Sequence, residues 1–309
     1  MSTFSPVQWC LNASVDVPAM ETVDDWLTHW RQLPLDEASP LALAVMGGCQ
    51  ADRAAWAFSA GYEAALRAMF PQIRGGGLHG FSLSEEGIRS PRDLQTLWRT
   101  DASGGIQLSG NKGWVPMPEH CEAYFVVCRA SGADGALSVV RLPATADGVT
   151  MSPRNPAAFM PELPAARMQL QDVVLDASAM LPGDGWNDYA RPFGALEELY
   201  VSAALMGYLL REGRARAWPQ ALLRQMLAAI SLLERIAPEV GSANRGQLLL
   251  AGATEWVRAL MTQATAEWAK QPNDEAGQRW VRDQTVQRMW AAAGAKRGER
   301  AWQALTAAQ

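Results

Sequence analysis

Histidine, cysteine and positive charge are scarce in this sequence, and each shortage removes a class of function. Only three histidines occur, His29, His79 and His120, and no two stand three or four residues apart. No helix face can therefore carry a histidine pair for a metal, and no metal site is expected. The four cysteines, Cys10, Cys49, Cys121 and Cys128, spell no CxxC motif. That leaves reduced thiols packed as small apolar groups in place of a zinc knuckle or a dithiol centre. Lysine plus arginine total 27 against 32 acidic residues, a net charge of -5. No basic face is broad enough to neutralise a run of phosphates, so nucleic acid is not an expected partner. The opening residues MSTFSPVQWC have neither a basic nor an apolar leader block, and no stretch reads as about 18 uncharged apolar residues. The expectation is a cytoplasmic protein with no membrane span.

What the sequence does have is apolar bulk. Hydrophobic residues make up 49% of its 309 positions, enough for the cores of two or three domains. The 13 tryptophans mostly recur at helical spacing beside alanine and leucine, which reads as core filling for all but one of them.

Periodicity changes twice along the chain. Amphipathic helices are expected at 23–33, closed by Pro34, and at 51–70, after which Gly75, Gly76 and Gly77 end helical character. Short β-branched or aromatic segments follow at 80–84, 94–100, 105–109, 123–129, 136–142 and 167–175, separated by turn clusters at 101–105 and 131–135. With no helix between them, they favour a small antiparallel barrel or sandwich over a parallel sheet. From Leu196 the helical period returns, with Leu199, Tyr200, Ala203, Gly207 and Leu210 on one stripe. Further helices are expected at 219–236, 246–270 and 273–307, with breaks at 238–242 and at Pro272, which together describe an antiparallel four-helix bundle.

Leu108-Ser109-Gly110-Asn111-Lys112-Gly113-Trp114-Val115, followed by Ala123 to Arg129, is similar to the Leu-x-Gly-x-Lys middle-domain signature of the acyl-CoA dehydrogenase family. Phe81-Ser82-Leu83-Ser84-Glu85-Glu86-Gly87 resembles its Thr-Glu-Pro loop, and Leu196-Glu197-Glu198-Leu199 through Gly207 resembles its first bundle helix. These blocks fall in collinear order over residues 45 to 230, in step with the helix, strand, helix layout. The resemblance implies an α+β fold of three parts: an N-terminal helical domain (1–77), a small antiparallel β-barrel middle domain (78–186) and a C-terminal four-helix bundle domain (187–309).

The resemblance also implies a chemistry, in which a carboxylate removes a proton beside a thioester carbonyl while FAD accepts hydride from the next carbon. On that reading the substrate is an acyl-CoA or related acyl thioester, and the protein works as a homodimer or homotetramer. Glu197 matches the position from which some branches of the family supply the base, although an acid in a first helical turn is equally a response to the helix dipole. Trp114 matches the aromatic that lies against the flavin ring; a core tryptophan at a strand end is the alternative. Ser84 matches the threonine of the flavin-contacting loop, where a capped turn would also call for serine. Arg214 or Arg216, followed by Gln225, matches the grip on the FAD diphosphate, and a solvated basic helix end explains the same residues. Pro116 stands where the family has Thr or Ser, and Trp218-Pro219 replaces its aromatic-glycine pair. The second reading is accordingly a family descendant without flavin, kept as a binding or subunit-partner protein.

Overall fold

The computed structural model describes residues 5–88, 90–132, 136–241, 244–288 and 290–307, apart from the side chains of residues 92, 286 and 287. The expected turn at 131–135 and the break at 238–242 fall partly outside these residues. Contacts group the chain into two compact units. The first is built from Met1–Gly76, Ala158–Glu162 and Phe193–Gln309, and the second from Gly77–Ala157 and Leu163–Pro192.

The first unit is helical, with α1 (Pro6–Asn12), α2 (Val23–Trp30), α3 (Pro40–Gln50) and α4 (Ala54–Met69) on the N-terminal side. Local chemistry fixes their starts. At α2 the Thr22 hydroxyl accepts the Asp25 N–H while the Asp25 carboxylate accepts the Thr22 N–H, a reciprocal capping box. Ser39 caps α3, with Pro40 preset at its first turn. Periodicity does not announce α3 because Leu41 to Cys49 are all buried, leaving no polar face to mark the turns. Trp26 stacks on Trp30 at 5.8 Å and on Trp56 at 5.9 Å, filling the core between α2 and α4.

Small residues let these helices press against α5 (Arg191–Ala215). A Cβ added at Gly48 would lie 1.9 Å from the Ala204 carbonyl oxygen, one at Gly61 2.5 Å from the Val201 Cα, and one at Gly207 2.5 Å from the Val45 carbonyl oxygen. Helices α6 (Gln220–Val240) and α7 (Asn244–Trp268) pack together, and α7 packs on α9 (Ala291–Thr306). Pro238 does not end α6, which continues to the buried Val240. The last expected helix is interrupted: α8 (Glu275–Asp283) passes into a 3₁₀ segment, Gln284–Arg288, before α9. No proline or glycine marks the break. It follows Asp283, a fully buried carboxylate that accepts the Met160 N–H at 2.7 Å and a guanidinium N–H of Arg282 at 2.7 Å. The segment Gly185–Ala215 is long and apolar enough to cross a membrane by composition alone, but 89% of its most apolar window is buried inside the protein, as in a core helix.

Core filling holds for most tryptophans but not for all those expected inside. Trp302 is 59% exposed and Trp186 36%, besides Trp114. On α9 it is the neighbouring Ala301 that faces inward, and one step along a helix turns a side chain about 100° away.

The second unit is a seven-stranded sheet of β1 (Leu78–Ser82), β2 (Leu97–Thr100), β3 (Ile106–Pro116), β4 (Cys121–Ala130), β5 (Leu137–Pro143), β6 (Val149–Pro153) and β7 (Ala165–Leu175). Its ladder order is β1-β4-β2-β3-β7-β6, with β5 paired to the other edge of β4. The sheet is mixed, where antiparallel pairing throughout was expected. β1 and β2 follow one another along the same edge of β4, and both run parallel to it. Among the described residues no ladder joins β1 to β6. Strand β4 is buried from Ala123 to Cys128, which explains its unbroken apolar run. Strand β6 had no signal: its Thr150, Ser152 and Pro153 show no apolar alternation, and it forms an outer strand on β7.

Candidate functional site

In the second unit the candidate residues gather on β3. The register with β7 shifts between Lys112 and Val115, so Gly113 and Trp114 fall in a bulge. A bulge re-aims a side chain. Val115 points into the core while Trp114 stands 46% exposed. The Gly113 N–H donates to the Ser84 carbonyl at 2.8 Å, which brings the exposed Ser84 beside the tryptophan. Arg154 sits over the indole at 5.3 Å and donates to the Gly113 carbonyl at 2.8 Å. Glu86 accepts from Arg167 at 2.7 Å and Arg154 at 2.9 Å, and these hydrogen bonds hold its carboxyl below the usual carboxylate range. Pro116 ends β3 opposite Ala165 and supplies no N–H.

Between the Glu85–Ile88 loop and strands β3, β6 and β7 lies a cavity of about 400 Å³, with Glu85, Lys112, Asn111 and Arg167 among its walls. Lys112 is 1% exposed and donates to Glu85 at 2.7 Å and to the Leu83 carbonyl at 3.3 Å. Burial pulls the Lys112 amine down, against the attraction of Glu85. Burial also pushes Glu85 upward, but Lys112, the Thr96 hydroxyl and the Gln95 N–H outweigh it and hold the carboxyl below its ordinary value. Lys112 is thus a buried strut that fixes the Ser84–Glu86 loop to β3.

In the first unit, Glu197 lies half-buried near the start of α5. Its carboxylate accepts the Trp290 indole N–H at 3.0 Å. Trp290 stacks on Phe58 at 6.1 Å, Phe58 on Tyr62 at 6.3 Å, and Tyr62 meets Phe193 edge-on at 5.8 Å. Phe193 is one turn before Glu197 on the same face. Burial pushes the Glu197 carboxyl up to about 7, with the charge of Glu198 adding to it and the Trp290 hydrogen bond opposing it. A carboxyl titrating there can take up a proton near neutral pH. Glu198 beside it is bound instead by Arg297 and by Arg258 at 3.7 Å.

Arg216 follows the end of α5, about 28 Å from Glu197 at the rise of an α-helix. It clamps Asp274 at 2.6 and 3.0 Å and pairs with Glu212. Arg214 donates to the carbonyls of Cys10 at 2.6 Å and Ala13 at 2.9 Å. Gln225 is exposed on α6. The structure thus brings Ser84 and Trp114 together, while Glu197, Arg216 and Gln225 lie at separate points of the helical unit. Sequence reasoning missed Arg154, Phe58 and Trp290. Trp290 is 93 positions from Glu197 and belongs to no regular helix, so no spacing rule reaches it. Among the described residues no group of three or more His, Cys, Asp or Glu is placed to hold a metal ion.

The chain has the fold of the acyl-CoA dehydrogenases. Butyryl-CoA dehydrogenase from Megasphaera elsdenii superposes with a TM-score of 0.66 over 85% of this chain and 81% of its own, at 15% identity. The FMN-bound TdsC from Paenibacillus sp. A11-2 gives 0.69 over 88% and 85%, at 13% identity. The prolyl acyl carrier protein oxidase AnaB gives 0.65 over 96% of both chains, at 15% identity. No family model matches the sequence. A curated relative, the UPF0284 protein glr4139 of Gloeobacter violaceus, is 28% identical over 187 residues, or 60% of this chain. The match spans under half, 45%, of that relative's length.

Proposed function

We propose that this chain is a flavin-dependent oxidoreductase acting on the CH–CH bond of an acyl thioester, acyl-CoA or carrier-bound, with Glu197 as the base. The observation that carries the proposal is the Glu197 carboxyl, tuned to about 7 on the first bundle helix of an acyl-CoA dehydrogenase fold. Segments 1–77, 78–186 and 187–309 would serve as its entry, middle and bundle domains, in a homodimer or homotetramer. Support for the ring end of a flavin comes from Trp114, 46% exposed with Arg154 over one face of its ring, and from the backbone hydrogen bond that holds Ser84 to Gly113. FAD, when bound, would supply the hydride acceptor. Glu197 would take the proton from the carbon next to the carbonyl, with Trp290 orienting the carboxylate through its N–H. Phe58 and Phe193 would keep water from the base, and Trp114 would do so at the flavin face. The shared fold with butyryl-CoA dehydrogenase and with the prolyl acyl carrier protein oxidase AnaB supports a thioester as the substrate class.

The test is the visible spectrum of the purified protein with added FAD, followed by anaerobic bleaching with a panel of acyl-CoAs. Glu197→Gln is expected to retain flavin and slow bleaching by roughly 10²–10⁴-fold. Unimpaired bleaching in that variant would remove Glu197 from the mechanism.

A second reading, a flavin-free descendant acting as a binding or subunit-partner protein, is favoured by one arrangement. Arg216 is already clamped by Asp274 and Glu212, so its charge is not available to a diphosphate. A colourless protein that takes up neither FAD nor FMN would establish this reading over the first.

A further inference from the structure

Two thiols on different helices meet inside the helical unit, far in sequence from Glu197. Cys10 on α1 and Cys49 on α3 are free cysteines, each 1% exposed, and their sulfurs stand 3.0 Å apart. The two helices pack on each other. The remaining cysteines are engaged elsewhere, Cys121 with the Pro116 carbonyl at 3.5 Å and Cys128 with the Ser138 carbonyl at 3.7 Å. A covalent S–S bond is about 2.05 Å long, so the two sulfurs need to approach by only about 1 Å.

We propose that Cys10 and Cys49 are a disulfide-forming pair, a modification site that staples α1 to α3 when the protein meets a small-molecule disulfide. The Cys10 thiol loses its proton to solvent, and its thiolate attacks one sulfur of the oxidant, forming a mixed disulfide and expelling one thiolate. The Cys49 thiolate then attacks the Cys10 sulfur and expels the second. Two cysteine thiols become one disulfide, one disulfide of the oxidant becomes two thiols, and the protons released by the cysteines are taken up by the leaving thiolates.

The closed arrangement resists this attack. The hydrogen bond with Cys49, together with burial, holds the Cys10 thiol far above the ordinary cysteine range. Reaction therefore proceeds from a state in which α1 has lifted. This helix is suited to lifting: it has seven residues, too few to be stable alone, and is held by the Ser5 cap and the two Arg214 hydrogen bonds. Once formed, the bond closes a ring of roughly 40 residues and raises the melting temperature by roughly 5–10 °C.

The test uses the full chain treated with oxidised glutathione, then denatured in the presence of an alkylating agent and cut with trypsin. Cleavage after Arg31 and Arg53 puts the two cysteines on separate peptides, 1–31 and 32–53. The expected result is one linked species two hydrogens lighter than the sum of the peptides, with Cys121 and Cys128 alkylated. Alkylated Cys10 and Cys49 after oxidation, or links to other cysteines, would overturn the proposal on the unmutated protein. Cys10→Ala and Cys49→Ala should each abolish the oxidant-induced rise in melting temperature. An undiminished rise in both would overturn it equally.

Discussion

Glu85 in the sheet unit and Glu197 in the helical unit are both withdrawn from water, yet they end on opposite sides of the ordinary carboxylate range. Glu85 has an ammonium, a hydroxyl and two backbone N–H groups pointed at it, and its carboxyl is held down. Glu197 has an indole N–H and an aromatic collar, and burial pushes its carboxyl up to about 7. Desolvation acts the same way on both, so the partner decides the sign. Glu85, with its cation, is a structural part; Glu197, whose hydrogen-bond donor is neutral, is poised to move a proton.

The comparison breaks most severely at Lys112. Lys112→Met leaves Glu85 in place without its cation, and removing one partner of a buried pair costs about 3–5 kcal/mol. Urea unfolding at neutral pH measures it. Adding Glu85→Gln to that background should recover part of the loss, since no charge then remains buried. A loss under about 1 kcal/mol for Lys112→Met alone would mean that the pair is not what fixes the Ser84–Glu86 loop.

A smaller effect separates the two glutamates by pH. Between the ordinary value of 4.5 and about 7, folded Glu197 keeps a proton that the unfolded chain has released, so its contribution to stability falls as pH rises through that window. Glu85 behaves oppositely: its folded value lies below 4.5, so its contribution is present above that value and is lost as acid protonates it. Glu197→Gln should remove a decline of about 1–3 kcal/mol between pH 4.5 and 7, measured as unfolding free energy across that range. A variant whose pH curve parallels the parent's would assign the decline to another group.

The sequence made one half of this contrast easier to read than the other. Glu85, Lys112 and Trp114 sit within collinear blocks, and the bulge that exposes Trp114 lies in the same strand as the lysine. Glu197 lies in a collinear block too, but its environment is not legible there, because Phe58, Phe193 and Trp290 come from three separate parts of the chain. Helix α3 escaped because an element buried on every side has no amphipathic period. The parallel pairing of β1 and β2 with β4 escaped for a related reason, since strand direction depends on connections and not on alternation. Arg216 was legible as a basic residue near a helix end, but its occupation by Asp274 comes from a residue 58 positions away.

The finest test of the contrast is Trp290→Phe. Phenylalanine keeps an aromatic ring to stack on Phe58 and keeps the water-excluding collar, but it removes the N–H that stabilises the Glu197 carboxylate. Burial and the charge of Glu198 would then act without that opposition, so the Glu197 carboxyl should titrate at higher pH than in the parent, by an energy of about 1 kcal/mol. Carbon-detected NMR of labelled glutamate carboxyls follows this titration directly, whether or not flavin is bound. A midpoint that stays put or moves downward would show that the indole is only a wall of the collar, and the neutral donor would lose its place in the comparison with Lys112.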